Sequence, residues 1–339
     1  MRDISPQSPE ARLKRKARAQ ARGAETKPKR VGETRTWEVI KRIAVGVYSD
    51  GFIHAGNLAY LALLSLFPFV IVAAAVARLA GHGVEGMNAV NAILVTMPPD
   101  VQNVLNAPIN DVLQARHGNL LWFGAIVGLW TTASFIETIR DIIRRAYGVT
   151  FSRPFWEYRL GSIGIIIVAV MMAMIAFSAS ILLSGAQQFF VARIPGAADL
   201  VSVLTLIRIV PALILYGSLY LLFWVLTPKR YRKGCRKWPG AAFVAIWWVA
   251  TTALLPAILS GLGGYGATYG SLAGVMIALI FFFIIGLGLV IGAELNAALA
   301  ETPRPNRADV EAAVHERAAE VAEQEAVEKA VGGTEEEME

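Results

Sequence analysis

The 339-residue sequence is 55% hydrophobic and only 17% charged, against roughly 25% charged in soluble domains, and its mean hydropathy is +0.50. That composition excludes an ordinary soluble globular domain, so the net charge of +6 matters for where the cations lie. A single cysteine, Cys235, excludes an intrachain disulfide and a thiolate zinc site.

Residues 1–33 are polar, basic and without aromatics. They cannot bury enough apolar surface to offset chain entropy, and a disordered basic cytoplasmic tail is expected. Such a tail is drawn to anionic lipid by about 1 kcal/mol per Lys or Arg near the surface. The first long apolar stretch begins too late for a secretory signal, and Asp3, Glu10, Glu25 and Glu33 oppose a transit peptide. From Thr34, "TRTWEVIKRIAVGVYSD" sets Trp37, Ile40, Ile43, Ala44, Val47 and Tyr48 at helical spacing, with Lys41 and Arg42 opposite. That pattern predicts an in-plane interfacial helix.

Residues 51–77, 117–136, 160–192 and 209–228 lack Asp, Glu, Lys and Arg, and 238–293 is long enough for two crossings. A helix needs roughly 20 apolar residues to cross about 30 Å of hydrocarbon. Six spans follow, near 55–79, 118–137, 160–185, 205–227, 240–260 and 270–298. The expected fold is all-α: a polytopic transmembrane helical bundle over residues 34–302. After span 1, "MPPD" and "NAPIN" break an outside segment in which "VQNVLN" suggests a short helix. After span 2, "ETIRDIIRRAYGV" predicts a second interfacial helix, with Ile139, Ile142, Ile143 and Tyr147 facing away from Arg140, Arg144 and Arg145. "SGLGGYGATYGS" reads as a tight or partly re-entrant outer turn, and 303–339 as an acidic cytoplasmic tail able to form one solvated helix.

Lys and Arg distribution predicts the orientation. The segment before span 1 carries 13, the 2–3 connection five and the 4–5 connection six, against Arg116 and Arg193 in the alternate connections. Basic connections stay on the cytoplasmic side, so both termini are expected inside.

Polar residues within or bordering the spans are the candidates for function, because ionisable groups at membrane depth are costly. Asn57, Tyr60 and Ser65 lie in span 1, and Thr131, Thr132 and Ser134 in span 2. Arg208 opens span 4, Tyr269 borders span 6, and Glu294 and Asn296 end it. Glu294 is the most informative, since a carboxylate near a helix C-terminus opposes the macrodipole and calls for an offsetting partner. Arg140, one turn after Glu137, is the candidate. Glu294 either reaches headgroups, pins span 6 to span 2, or lies on a substrate path. Arg78 and Arg208, at the outer end, suit lipid phosphates or an anionic substrate.

Gly124/Gly128, Gly266/Gly270/Gly274 and Gly288/Gly292 are spaced four apart, which permits close helix approach within the chain or in a homo-oligomer. Pro68, Pro211 and Pro256 interrupt spans 1, 4 and 5 as kinks or as points where carbonyls are freed. No HExxH, GxSxG, Walker A or clustered acid–His set occurs, and His54, His82, His117 and His315 are scattered. No catalysis, cofactor, metal or specific nucleic-acid partner is expected.

"NLAYLALLSLFPFVIV" (57–72), "LWTTASFIETIRDIIRRAYGVTFSRPFWEYR" (129–159), "WPGAAFVAIWW" (238–248) and "YGATYGSLAGVMIALIFFFIIGLGLVIGAELNAALAE" (265–301) resemble the YihY/virulence factor BrkB family, in consistent order over roughly 35–302. The resemblance implies a six-helix inner-membrane protein of gram-negative-type bacteria. Some members carry the name ribonuclease BN, read here as a misassignment. By motif it points to Asn57, Tyr60, Ser65, Pro68, Trp130, Arg140, Arg153, Pro154, Tyr269, Gly270, Glu294 and Asn296. The expected function is transport or flipping of a lipid or another anionic envelope component, through a cavity among spans 1, 2, 4 and 6. The alternatives are a non-transporting scaffold for envelope factors and, remotely, a membrane-tethered ribonuclease.

Overall fold

The computed structural model describes residues 7–21, 35–79, 101–102, 118–149, 154, 156–172, 206–233, 235–261, 272–300, 305 and 307–336. Among them every regular element is helical. In chain order these are α1 (Pro9–Ala21), α2 (Arg35–Gly46), a π-turn (Val47–Gly51), α3 (Phe52–Leu79), α4 (Gly118–Tyr147) and α5 (residues 156–172). There follow α6 (Leu206–Leu226), the single turn α7 (Lys229–Arg232), α8 (Trp238–Gly261), α9 (Ala273–Leu299) and α10 (Arg307–Glu336).

Two stretches of the described residues, Trp238–Ile258 and Ala273–Leu299, are long and apolar enough to cross a membrane, and Ala212–Leu226 is a shorter apolar helix. The outward faces also stay apolar: Ile246 is 71% exposed and Ile126 69%. A soluble bundle would carry polar side chains there, whereas helices apolar all round belong in lipid.

Helix α9 is the hub, packing on α2, α3, α4 and α8. Its glycines set the approach. Gly286 faces Ala55 and Leu58 of α3, Gly288 lies against the Trp247 indole, and Gly292 meets Val244 and the Gly240 carbonyl of α8. Trp247 is held in place by donating its Nε1–H to the Ile284 carbonyl at 2.8 Å. The Gly288/Gly292 pair therefore serves packing within the chain, and these two positions are occupied by α8 rather than offered to a second copy. Gly266 and Gly270 lie outside the described residues.

Two expectations are corrected. "ETIRDIIRRAYGV" is no separate in-plane helix but the last turns of the 30-residue α4. Its Ile139, Ile142, Ile143 and Tyr147 are buried in the main core with Phe223 and Val244. The helix stops at Gly148, whose φ of 77° is open to glycine without a Cβ penalty. Gly148 N–H donates to Arg145 O and Val149 N–H to Arg144 O, both at 2.9 Å, a Schellman closure.

The second correction concerns the N-terminus. Where a disordered arm was expected, residues 9–21 form α1, packed on α10. Ser8 Oγ accepts the Ala11 N–H at 3.2 Å as an N-cap, and Leu13 and Ala17, one turn apart, are buried. The sequence offered little apolar surface, but polar contacts add to the docking of α1. Arg12 Nη2 donates to the carbonyls of Ala297 and Ala300 at 3.1 and 3.2 Å, and Arg18 pairs with Glu316 at 3.0 Å. Burial first, then the neighbouring Arg42 charge, lowers Arg12 to about 10, so it stays cationic at neutral pH.

Candidate functional site

Glu294 and Asn296 sit two positions apart on α9, about 200° around the helix axis, and so face opposite sides. Both are buried. The Glu294 carboxylate packs against Gly46, so closely that a Cβ there would lie 2.3 Å from it. It lines a small cavity with Ser49, Asp50, His54 and Arg145. The π-turn Val47–Gly51 runs past this point, carrying the chain from α2 into α3; Ser49 Oγ donates to Gly46 O at 2.9 Å. Arg140 is not its partner: it donates from Nη1 to the Tyr158 carbonyl at 3.0 Å, while Arg145 is held by Asp141 at 2.7 Å. Among the described residues no ion pair to Glu294 forms. The macrodipole is instead offset at the carbonyls that end α9, where Arg12 binds Ala297 and Ala300 and Arg42 Nη1 binds Ala298 at 3.2 Å.

On the other side, Asn296 Oδ1 accepts the Gly240 N–H at 2.9 Å. Gly240 is the third residue of α8, whose first turn needs external acceptors. Lys237, just before the helix, has no side-chain acceptor and Pro239 has no N–H, so Asn296 supplies the cap from α9. Asn296→Ala is expected to cost about 1–2 kcal/mol, the usual value of a lost N-cap, read as a lower melting temperature in detergent.

A buried ion pair, missed in the sequence reading, organises the α4–α5 corner. Arg159 Nη1 meets Glu137 Oε2 at 3.0 Å and Ser134 Oγ at 3.1 Å, and its guanidinium lies 4.1 Å from the Trp130 ring centroid. Trp156 stands edge-on to Trp130. The available signal was the alternation of aromatic and charged residues in "WEYR", residues 156–159, facing Glu137, one of the two acids of the α4 exit.

Two larger cavities share the helices α4, α5 and α6. The first, ≈ 320 Å³, lies among α3, α4, α5, α6, α8 and α9 and is walled by apolar groups such as Phe135, Leu222, Trp248 and Phe282, with Ser65 and Thr132 as its polar side chains. The second, ≈ 440 Å³, is lined by Arg140, Arg144, Lys229, Arg230 and Arg232 with one acid, Glu157. The sequence candidates are thus dispersed. Ser65 lines the apolar cavity, Arg140 the basic one and Glu294 the small one, while Asn296 caps α8. Asn57 and Tyr60 are exposed on α3. Tyr269 and the side chains of Arg208, Arg78 and Pro68 lie outside the described residues.

An all-helical bundle, apolar on its outer as well as its inner faces, defines a membrane protein. The profile of the virulence factor BrkB family matches residues 48–316, and the chain belongs to that family. It is 30% identical over 258 residues to a Bacillus subtilis (strain 168) protein named as ribonuclease-like, YfkH, covering 74% of this chain and 90% of that one. That source shows that relatives are not confined to gram-negative-type bacteria. No solved structure matches the chain.

Proposed function

We propose that this protein moves a lipid, or another anionic amphipath of the envelope, across the bacterial plasma membrane. In this reading the chain crosses six times with both termini in the cytoplasm. The observation that carries it is the apolar cavity: ≈ 320 Å³ inside the bundle, with side chains from α3, α4, α5, α6, α8 and α9. Its size falls at the lower end of ligand pockets, and its walls suit an acyl chain rather than an ion. The positive connections support the orientation. Salt bridges of α1 and α10 to each other and to Arg230 bring both terminal helices to the basic end of the bundle.

Protein reconstituted into liposomes is expected to translocate a fluorescent phospholipid. Ala62 lines the cavity from α3. Ala62→Phe should slow translocation by about tenfold or more by filling the space a chain would occupy, with the melting temperature kept because a void is filled. No movement of any phospholipid in a headgroup panel by the wild-type protein sinks the reading.

A further inference from the structure

The basic cavity has a chemistry of its own. Five cations face it against the single carboxylate of Glu157. Arg140 and Arg144 converge on Tyr158: Arg144 Nη2 donates to its hydroxyl at 2.7 Å, and both guanidinium groups lie near the ring, at 5.3 and 4.7 Å from its centroid. Arg232 stacks on Trp224 at 5.0 Å, and its buried Nε has no hydrogen-bond partner among the described residues. Such a surplus of convergent cations is a site for an anion, and planar guanidinium forks fit phosphate oxygens. Arg230 carries the anions already present: Glu10 of α1 at 3.0 Å and Asp309 of α10 at 3.5 Å.

The level of the cavity narrows the ligand. Trp37, Trp156, Trp224 and Trp238, close to the basic segments, are all exposed, as tryptophans at a headgroup layer are. The apolar cavity is lined by the same three helices, α4, α5 and α6. We propose that the basic cavity binds a phosphate ester, held by Arg140, Arg144 and Arg232 with Lys229 at its edge, and that Glu10 competes with it for Arg230. This rests on the transport reading only for its membrane source, a phospholipid headgroup; a soluble phosphate ester offers the same chemistry.

Full-length protein in dodecyl maltoside is titrated with phosphatidylglycerol and phosphatidylcholine, followed by native mass spectrometry, and with sn-glycerol 3-phosphate, followed by calorimetry. Phosphatidylglycerol is expected to bind best, and Arg144→Gln or Arg232→Gln to weaken it about tenfold, the loss of one charge-assisted bond. Lys229 is exposed, so Lys229→Gln leaves the fold intact and should weaken binding about threefold, whereas Glu10→Gln should strengthen it by a similar factor. Equal affinity for glycerol 3-phosphate with the same dependence on these residues assigns the site to a soluble ester. Phosphatidylglycerol and glycerol 3-phosphate binding within about twofold of wild type in both Lys229→Gln and Arg232→Gln overturns the proposal. Binding without translocation sinks the transport reading and leaves the site standing; translocation with binding indifferent to these variants does the reverse.

Discussion

Arg159→Met is expected to destabilise the protein by about 3 kcal/mol or more, the cost of leaving one partner of a buried ion pair alone. The arginine is 6% exposed and satisfies Glu137 and Ser134 while covering Trp130. Methionine retains part of the contact with the indole but strands the Glu137 carboxylate. That side chain keeps 24% exposure, which places the cost toward the lower end of the range. The double variant Arg159→Met/Glu137→Leu should recover much of the loss, because the unpaired charge is then gone. Thermal unfolding in detergent, read for both singles and the double, checks this. Additive losses in the double variant would show that packing on Trp130, not the ion pair, holds the α4–α5 corner.

Glycine substitutions on α6, α8 and α9 should rank by what a new methyl group meets. Gly240→Ala is expected to be the worst, at about 3 kcal/mol, the upper end of overpacking costs. Its Cβ would lie 2.3 Å from the Gly292 carbonyl, a backbone atom that cannot rotate away, and 2.4 Å from Asn296 Nδ2. Gly288→Ala should follow, at about 2 kcal/mol, because Trp247 is tethered by its bond to Ile284. Gly286→Ala, with its nearest neighbour at 3.1 Å, should lose less. Gly217 on α6 meets nothing within 4 Å, and Gly217→Ala should be neutral or stabilising by up to about 1 kcal/mol through helix propensity. Melting temperatures that fail to follow this order would mean that α8 and α9 are not held at the spacing seen.

How much of this was legible in advance differs by residue. The stretch that ends on Glu294 and Asn296 stood out because polar groups at the end of a long apolar helix are rare and expensive, and both are indeed buried. Their partners were not legible. Arg140 lies on the last turns of α4, which direct it to Tyr158, and the groups that offset the end of α9 come from Arg12 and Arg42, over 250 residues away in the chain. Helix α1 was misread for the same reason. Its composition is that of a solvated arm, and what orders it is a set of carbonyls at the end of α9, carboxylates on α10, and Arg230 and Tyr231 of α7 donating to Glu10. Arg159 was counted only as one of several cations on a connection, since nothing local marks it as buried beside Glu137.

The sequence by itself determined the class of protein, its long apolar helical segments and the asymmetry of its connections. Hydrophobic transfer and charge placement are sums over contiguous residues, so they can be read without knowing any contact. Only the tertiary structure decided that Glu294 turns to the π-turn, that Asn296 caps α8, and that five cations from α4 and α7 surround one cavity. Those outcomes depend on the rotation of each helix about its axis and on which faces meet, which close packing among distant segments fixes and no local sum contains.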